Sequence, residues 1–256
     1  MRICKVIFST NRLRYLVRTL DSFRRHLDFG PHQVDGIFVD DYPTGRDDNQ
    51  IRTIAEHYGY NRIVLHQENT GLTGTWAEVN RLLADKEYDY IWQQEDDVEL
   101  LAPLKIDSCI SLLEQNKNIV QVSMKRQNWY PGEENKFLEP DDLQHERYLY
   151  NLKQQFFWTM ASCYPYWISQ EPIEETMQTD PSEAIMMSYL IQKYNGCSAV
   201  LKQNDGMEMV RHIGEVTKGK RISRPGDPSY ERFLWMDPDK RYNARSGAEL
   251  DNMEGT

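Results

Sequence analysis

Three consecutive acidic residues, Glu95, Asp96 and Asp97, come shortly after an apolar segment at residues 88–92. That segment is typical of a buried β-strand, so the three carboxylates would project from a rigid edge. Two carboxylates on alternate residues can share one hard divalent cation and leave coordination positions open for phosphate oxygens. The sequence therefore predicts a divalent metal site here, with a solvated acidic turn as the alternative interpretation.

The segments around this cluster indicate what would position it. In the first 100 residues, strand-like and helix-like segments alternate, which is typical of an open α/β sheet. Each predicted strand ends in polar or glycine-rich sequence, and ligands of such sheets collect beyond the carboxyl ends of the strands. Ser9-Thr10-Asn11 is predicted to cap the helix after the first strand. The predicted strands of this part cover residues 3–8, 36–39, 62–66 and 88–92.

The second half of the sequence is less regular. A helix at residues 106–113 and a strand at 119–123 continue the pattern, and a late strand is predicted at 199–201. Residues 125–155 are polar and aromatic and are predicted to form a long loop or small lid. Residues 219–256 contain many prolines, glycines and charges, and are expected to form an arm or tail.

The composition describes a globular chain with an acidic surface. Hydrophobic residues make up 39% of the 256 residues, and the formal net charge of −10 disfavours sequence-independent nucleic-acid binding. We expect a soluble, cytoplasmic protein with no transmembrane segment, because no apolar run approaches the roughly 20 residues that span a bilayer and no secretory signal pattern is present. The four cysteines contain no C-x-x-C pair, which predicts reduced thiols.

Four short motifs follow the first four predicted strands in order. They are Phe8-Ser9-Thr10-Asn11-Arg12, Val39-Asp40-Asp41, Asn69-x-Gly71 with Asn80, and Glu95-Asp96-Asp97-Val98. Together they resemble glycosyltransferase family 2, and the last resembles its acidic DXD metal motif. The sequence departs from the family pattern in having Glu95 where aspartate is usual, and in lacking the E-D pair of the acceptor helix.

The resemblance implies an α/β fold of the GT-A type, with a mostly parallel, Rossmann-like central sheet flanked by helices. It also implies metal-dependent transfer of a sugar, with inversion, from a nucleotide-sugar, for which a UDP-sugar is the first choice. The acceptor would be a saccharide, a lipid-linked molecule or another hydroxyl-bearing compound. The implied division is a single catalytic domain at 1–218, with a nucleotide-sugar-binding half at 1–100 and an acceptor half at 101–218, followed by the arm at 219–256.

The donor-side roles follow from the same resemblance. Asp40 would accept a hydrogen bond from the base, and Asp96 would face the ribose or the sugar. The alternatives for Thr10 and for Asp40-Asp41 are a helix cap and a turn. The other residues implied in the nucleotide pocket are Ser9, Thr10, Arg12, Asn69 and Gly71.

The metal would be Mn²⁺ or Mg²⁺, held by Asp97 together with Glu95. In GT-A enzymes a late histidine often completes the metal shell, which implies a role for His212; the alternative is an ordinary surface or core histidine. Lys218 and Lys220 follow it on a glycine-punctuated segment and would cover the diphosphate, where cations offset the charge that develops on the leaving group.

The predicted catalytic base is Glu183, with Asp180 as the second choice. Inverting transfer needs a carboxylate that accepts the proton of the attacking hydroxyl. The run Asp180-Pro181-Ser182-Glu183 also fits a helix N-terminus with a capping box, so both roles stay open.

Two other functions remain at this stage. A nucleotidyltransferase would share the α/β architecture and the carboxylate-held metal, but residues 8–12 lack the glycine-rich signature that would favour it. A non-catalytic module that binds nucleotide-sugars would keep the sheet without turnover. A basic, aromatic segment at residues 125–130 keeps a nucleic-acid acceptor conceivable, against the acidic balance of the chain.

Overall fold

The computed structural model describes residues 1–84, 86–125, 143–144, 148–150, 161–170, 193, 196–203 and 208–213. Its strands are β1 Arg2–Ser9, β2 Leu27–Asp28, β3 Gln33–Asp40, β4 Arg62–Leu65, β5 Tyr90–Glu95, β6 Val98–Leu100, β7 Leu104–Lys105, β8 Ile119–Met124, β9 Leu143–Gln144, β10 Tyr148–Tyr150, β11 Ala161–Pro165, β12 Cys197–Leu201 and β13 Val210–His212. Its helices are α1 Leu13–His26, α2 Asp48–His57, α3 Gly71–Leu83, α4 Ile106–Gln115 and α5 Tyr166–Ser169.

A nine-stranded sheet forms the centre of the described structure, in the order β4-β3-β1-β5-β11-β8-β12-β10-β9. The strands of the first half, from β4 to β5, are all parallel, with Ser9 of β1 opposite Asp40 of β3 and Phe8 opposite Glu95 of β5. Their carboxyl ends therefore meet at one edge. This arrangement confirms the predicted α/β sheet and brings the first, second and fourth sequence motifs together.

The second half of the sheet is mixed. Strand β11 lies antiparallel between β5 and β8, and β12 pairs parallel with β8. Two small two-stranded sheets stand apart from it, one of β6 with β13 and one of β2 with β7. The sheet of β6 with β13 matters for the site, because it returns a late part of the chain to the end of β5.

Alternating side chains of the parallel strands are buried on both faces, as expected for a sheet covered by helices. On one face Ile7 and Phe38 pack with residues of α1 and α2, including Leu16 and Ile51. On the other face Val6, Phe8, Ile37 and Val39 pack with Trp76, Val79 and Leu83 of α3. The apolar residues of these three helices thus occupy the faces that their helical spacing predicts.

The connection after α2 packs tightly on β3. A Cβ atom added at Gly36 would lie 2.7 Å from the carbonyl oxygen of Gly59 and 2.8 Å from Cα of Tyr60. Gly59 itself has a φ of +76°, a conformation that glycine adopts without strain. These two glycines let α2 end and the chain turn directly into β4.

Two predictions about local structure are wrong. The N-cap residue of α1 is Arg12, and it makes no side-chain capping hydrogen bond; the three residues before it use their polar groups elsewhere, as described below. The predicted loop at 125–155 contains β9 and β10, which extend the sheet. The predicted helix after Asp180 and the arm at 219–256 lie outside the described residues. No helix in the described parts of the chain has the length and apolarity needed to cross a membrane.

Candidate active site

The acidic cluster lies at the carboxyl end of β5, and most of it is buried. Glu95 is the last residue of β5, and Asp96 and Asp97 form the turn into β6. Asp96 is 1% exposed and Asp97 is 3% exposed. A solvated acidic turn, the alternative interpretation of this motif, is therefore wrong.

His212 reaches this cluster through the small sheet of β6 with β13. Its ring lies next to Asp97 because His212 pairs with Val98 and because the amide of Ile213 donates to the Asp97 carbonyl at 2.8 Å. His212 Nε2 is 3.2 Å from Asp97 Oδ2 and 4.0 Å from Glu95 Oε2. The structure thus brings together the three residues predicted as metal ligands.

The donor set fits a divalent cation. One ligand atom each from Glu95, Asp97 and His212 lies within 4.8 Å of the others. The Oδ1 atom of Asp97 is buried and accepts no hydrogen bond from any residue that the structure describes. Buried carboxylate oxygens are normally paired, so this oxygen is available to a cation. Two carboxylates and an imidazole suit Mn²⁺ in particular, because imidazole favours transition metals over Mg²⁺.

Arg12 contacts the cluster directly. Its Nη2 donates to Asp96 Oδ1 and its Nη1 to Asp97 Oδ2, so one guanidinium bridges both carboxylates. The Arg12 side chain is 15% exposed. Such a planar fork suits two neighbouring carboxylates better than an ammonium group would.

The two aspartates experience different environments. Burial raises the pKa of Asp96 to about 6, against the opposing effect of Arg12. Burial also acts to raise the pKa of Asp97, but the Arg12 guanidinium and the His212 imidazole outweigh it and hold that pKa well below its usual range. Asp97 is therefore the carboxylate that stays ionised, as a metal ligand must.

The loop between β1 and α1 is held by carboxylates rather than by a helix cap. The Ser9 hydroxyl donates to Asp40 at 2.8 Å and lies 3.2 Å from Asp96, and the Thr10 amide donates to Asp96 at 2.9 Å. The Asn11 amide donates to Asp40 at 2.7 Å. Asn11 has a φ of +58°, a left-handed conformation that asparagine tolerates better than most residues. The first, second and fourth motifs thus form one hydrogen-bonded unit.

Asp40 is completely buried and has an arginine partner that the sequence analysis missed. Arg46 donates to Asp40 Oδ1 at 3.0 Å and to the His66 carbonyl at 2.9 Å. The Tyr42 amide also donates to Asp40 Oδ1, at 3.1 Å. The predicted hydrogen bond from a nucleobase to Asp40 stays a prediction, and it would have to share an acceptor that internal donors already use.

Asp41 forms a second buried centre that the sequence analysis did not assign. Its carboxylate accepts from His66 Nδ1 at 2.6 Å, from the Thr70 hydroxyl at 2.7 Å and from the Gly71 amide at 2.7 Å. Asn69 contributes a further bond to the Gly71 amide, at 3.0 Å. Both Asn69 and Gly71, predicted in the nucleotide pocket, therefore lie at the start of α3, beside the end of β3.

The register of the sheet, which the sequence does not reveal, explains this centre. Asp40 lies opposite Leu65 in the parallel pair β3–β4, so Asp41 and His66, one residue further along each strand, must be neighbours. The predicted base Glu183, its alternative Asp180 and the lysines Lys218 and Lys220 lie outside the described residues.

A comparison with models of known protein families shows to which family the chain belongs. The model of "Glycosyl transferase family 2" matches residues 5–175, which is more than half of the chain and includes the parallel half of the sheet. The chain belongs to glycosyl transferase family 2. A search of curated protein sequences found no match.

Solved structures show the fold of this family 2 chain. S. aureus TarS 1–349 aligns with a TM-score of 0.54 at 13% identity, over 82% of this chain and 60% of that one. The complex of TarS 1–349 with UDP-GlcNAc aligns with a TM-score of 0.54 at 12% identity, over 87% and 60%. GalNAc-T7 with UDP, GalNAc and Mn²⁺ aligns with a TM-score of 0.55 at 12% identity, over 83% and 44%. The GT-A fold is thereby confirmed, and this chain spans about three fifths or less of these relatives.

Proposed function

We propose that this family 2 chain is a metal-dependent glycosyltransferase that moves a sugar from a nucleotide-sugar to a hydroxyl-bearing acceptor. One observation carries the proposal: Glu95, Asp97 and His212 converge within 4.8 Å at the edge where the parallel strands end. Ligands of open α/β sheets bind at this edge. The buried Oδ1 atom of Asp97, which has no hydrogen-bond partner among the described residues, supports a cation at this position.

Glu95, Asp97 and His212 would hold the metal, with Mn²⁺ as the first choice and Mg²⁺ as the second. When bound, the ion would neutralise charge on the diphosphate leaving group. The protein itself contributes the position of its ligands: Asp97 is fixed through its carbonyl by Ile213, and His212 by the pairing of β13 with β6. Such preorganisation is what a metal site requires.

The nucleotide would lie across the ends of β1, β3 and β4. Ser9, Thr10 and Arg12 border this region on the side of β1, and Asn69 and Gly71 border it at the start of α3. UDP and UDP-GlcNAc are bound by TarS 1–349, and UDP by GalNAc-T7. Those complexes support a UDP-sugar as the donor.

The acceptor side of the proposal rests on the sequence. Glu183, or Asp180 in its place, would accept the proton of the attacking hydroxyl, and inversion would follow from direct attack on the anomeric carbon. Lys218 and Lys220 would contact the diphosphate. The acceptor class is a saccharide, a lipid-linked molecule or another hydroxyl compound, and the proposed location is the cytoplasm.

Calorimetric titration with UDP, with and without Mn²⁺, tests the metal site. Wild type is expected to bind UDP more tightly with Mn²⁺, and Asp97→Asn is expected to weaken Mn²⁺-dependent binding by at least about tenfold. Asp107→Asn is the control, because Asp107 contacts His32 on a different part of the surface. Equal Mn²⁺-dependent affinity in wild type and Asp97→Asn would remove Asp97 from the metal site.

A turnover assay separates the remaining functions. Incubation of a panel of nucleotide-sugars with the protein and Mn²⁺ should release the nucleoside diphosphate by slow hydrolysis, since water can replace the acceptor. Release of pyrophosphate from a nucleoside triphosphate and a sugar phosphate would indicate a nucleotidyltransferase instead. Mn²⁺-dependent binding without any release would indicate a binding module.

A further inference from the structure

The Arg12 guanidinium pairs with Asp97, a carboxylate that the proposed metal would need as a ligand, and with its neighbour Asp96. It bridges Asp96 and Asp97, and on Asp97 it bonds Oδ2, the same oxygen that His212 Nε2 approaches to 3.2 Å. A divalent ion bound between Asp97 and His212 would therefore stand beside a fixed positive charge. Because Asp97 is 3% exposed, little solvent lies between the two cations to screen their repulsion.

We propose that Arg12 is an internal counter-cation of this cluster, and that it moves off Asp97 when a divalent ion binds. Without a metal, Arg12 offsets the repulsion between two adjacent buried carboxylates, which would otherwise be costly. With a metal, the ion takes over that neutralising role. This inference rests on the proposed function, because it assigns the metal to the Glu95–Asp97–His212 cluster.

The place of Arg12 in the fold indicates where its charge would go. Arg12 is the N-cap residue of α1, so a short movement keeps its guanidinium at the N-terminus of that helix. This is the region where a diphosphate would be favoured by the N-terminal end of the helix dipole. A guanidinium released from Asp97 would pair there with phosphate oxygens. Metal and nucleotide binding would thus be coupled through one side chain, and the coupling would act equally in both directions.

Measurement of Mn²⁺ affinity without nucleotide tests the role of Arg12. Electron paramagnetic resonance of free Mn²⁺ reports this affinity directly and does not depend on activity. Arg12→Gln is expected to bind Mn²⁺ about tenfold more tightly than wild type. The matched control is Arg14→Gln, which removes the same charge from an exposed position two residues along the chain and should stay within about twofold of wild type.

A second titration measures the coupling. In wild type, saturating UDP is expected to tighten Mn²⁺ binding by about tenfold or more, and in Arg12→Gln by less than about threefold. If Arg12→Gln fails to fold, Arg12→Lys replaces it. A lysine keeps the charge but lacks the planar fork with which Arg12 contacts both carboxylates, so this variant is expected to bind Mn²⁺ about threefold more tightly than wild type.

The outcomes separate this inference from the proposed function. Mn²⁺ binding that is equal or weaker in Arg12→Gln, with normal UDP–Mn²⁺ binding in wild type, overturns the role of Arg12 and leaves the metal site intact. Failure of every variant to bind Mn²⁺, even with UDP, overturns both. Binding by Arg12→Gln alone supports the inference, because the obstacle in wild type would then be the arginine.

Discussion

Asp40 and Arg46 form an ion pair whose side chains are 0% and 1% exposed. Arg46 also contacts Asp48 at 2.7 Å and the His66 carbonyl at 2.9 Å. One guanidinium therefore joins the end of β3, the end of β4 and the start of α2. A buried ion pair of this kind fixes the relative positions of the elements it joins. Its net contribution to the free energy of unfolding is small compared with the loss of stability when one partner is removed.

Asp40→Asn should lower the free energy of unfolding by about 3 kcal/mol, because it leaves the Arg46 charge buried beside a neutral amide. Urea denaturation measures this change. Asp48→Asn is the matched control, since it removes the other carboxylate partner of Arg46 from a solvent-exposed position, and its effect should be much smaller. The double variant Asp40→Asn with Arg46→Met should recover part of the loss. Equal effects of the two single variants would contradict a structural role for the buried pair.

The acidic residues differ in how far the sequence could predict them. Glu95, Asp96 and Asp97 are adjacent in the chain, so their motif could be recognised directly. The partners of Asp40 and Asp41 could not be recognised in this way. Arg46 reaches Asp40 because of the turn after β3, and His66 reaches Asp41 because of the register between β3 and β4. The bridge from Arg12 to the cluster likewise depends on the placement of β1 beside β5.

At the scale of elements, the strands and helices with a regular pattern of apolar residues could be predicted from the sequence. The strands β1, β3, β4 and β5 and the helices α1 and α3 follow alternating or helical patterns of apolar residues, and the structure confirms them. The two-residue strands β2 and β7 are too short to carry a pattern. Strand β13 is also short, and its partner β6 is remote in sequence, so neither its pairing nor its role in placing His212 could be predicted from spacing.

Strand β1 carries a lysine, Lys5, between the apolar residues Cys4 and Val6. Lys5 donates to the Tyr58 carbonyl at 2.6 Å and lies 4.5 Å from the centre of the Tyr60 ring. Burial lowers the pKa of Lys5 from 10.5 to about 8. Between these values the unfolded chain binds more protons than the native state does, so this residue makes the free energy of unfolding rise as the pH increases.

Lys5→Met should remove that dependence. The stability of wild type relative to Lys5→Met is expected to increase by about 2 kcal/mol between pH 7 and pH 10, a value reduced from the full pKa shift because the group is partly exposed. Urea denaturation across this range measures it, and the comparison cancels the titration of tyrosines and cysteines. Lys105→Met, at an exposed position of β7, controls for the loss of one positive charge. Parallel pH profiles for wild type and Lys5→Met would contradict the effect of burial.

At the scale of the whole molecule, the cysteines lie in two parts of the core: Cys109, Cys163 and Cys197 belong to one apolar cluster, and Cys4 belongs to another. Cys4, Cys109, Cys163 and Cys197 are all buried free thiols, as the absence of a paired spacing predicted. Burial raises the pKa of Cys4 to about 12 and that of Cys197 to about 11. Since the thiolate is the reactive form, both burial and pKa oppose modification in the folded protein.

A thiol reagent such as dithionitrobenzoate should therefore react very slowly with the native protein. In guanidinium chloride, where the protein is unfolded, the reagent should react with all four cysteines. Absorbance at pH 8 follows the reaction, and mass spectrometry of the labelled peptides identifies each site. The native rate is expected to follow the opening of the sheet, so UDP with Mn²⁺ should slow it further. Rapid labelling of any cysteine in the native state would show that its part of the core is accessible.

The return of β13 to β6 also has a consequence for synthesis. His212 lies more than 110 residues after Asp97 in the chain, yet it completes the donor set. The whole parallel half of the sheet would have emerged from the ribosome long before His212 was synthesised. If the proposed metal site is correct, a nascent chain would bind the ion only weakly until β13 had docked, and full metal affinity would appear only in a polypeptide that had been translated and folded at least that far.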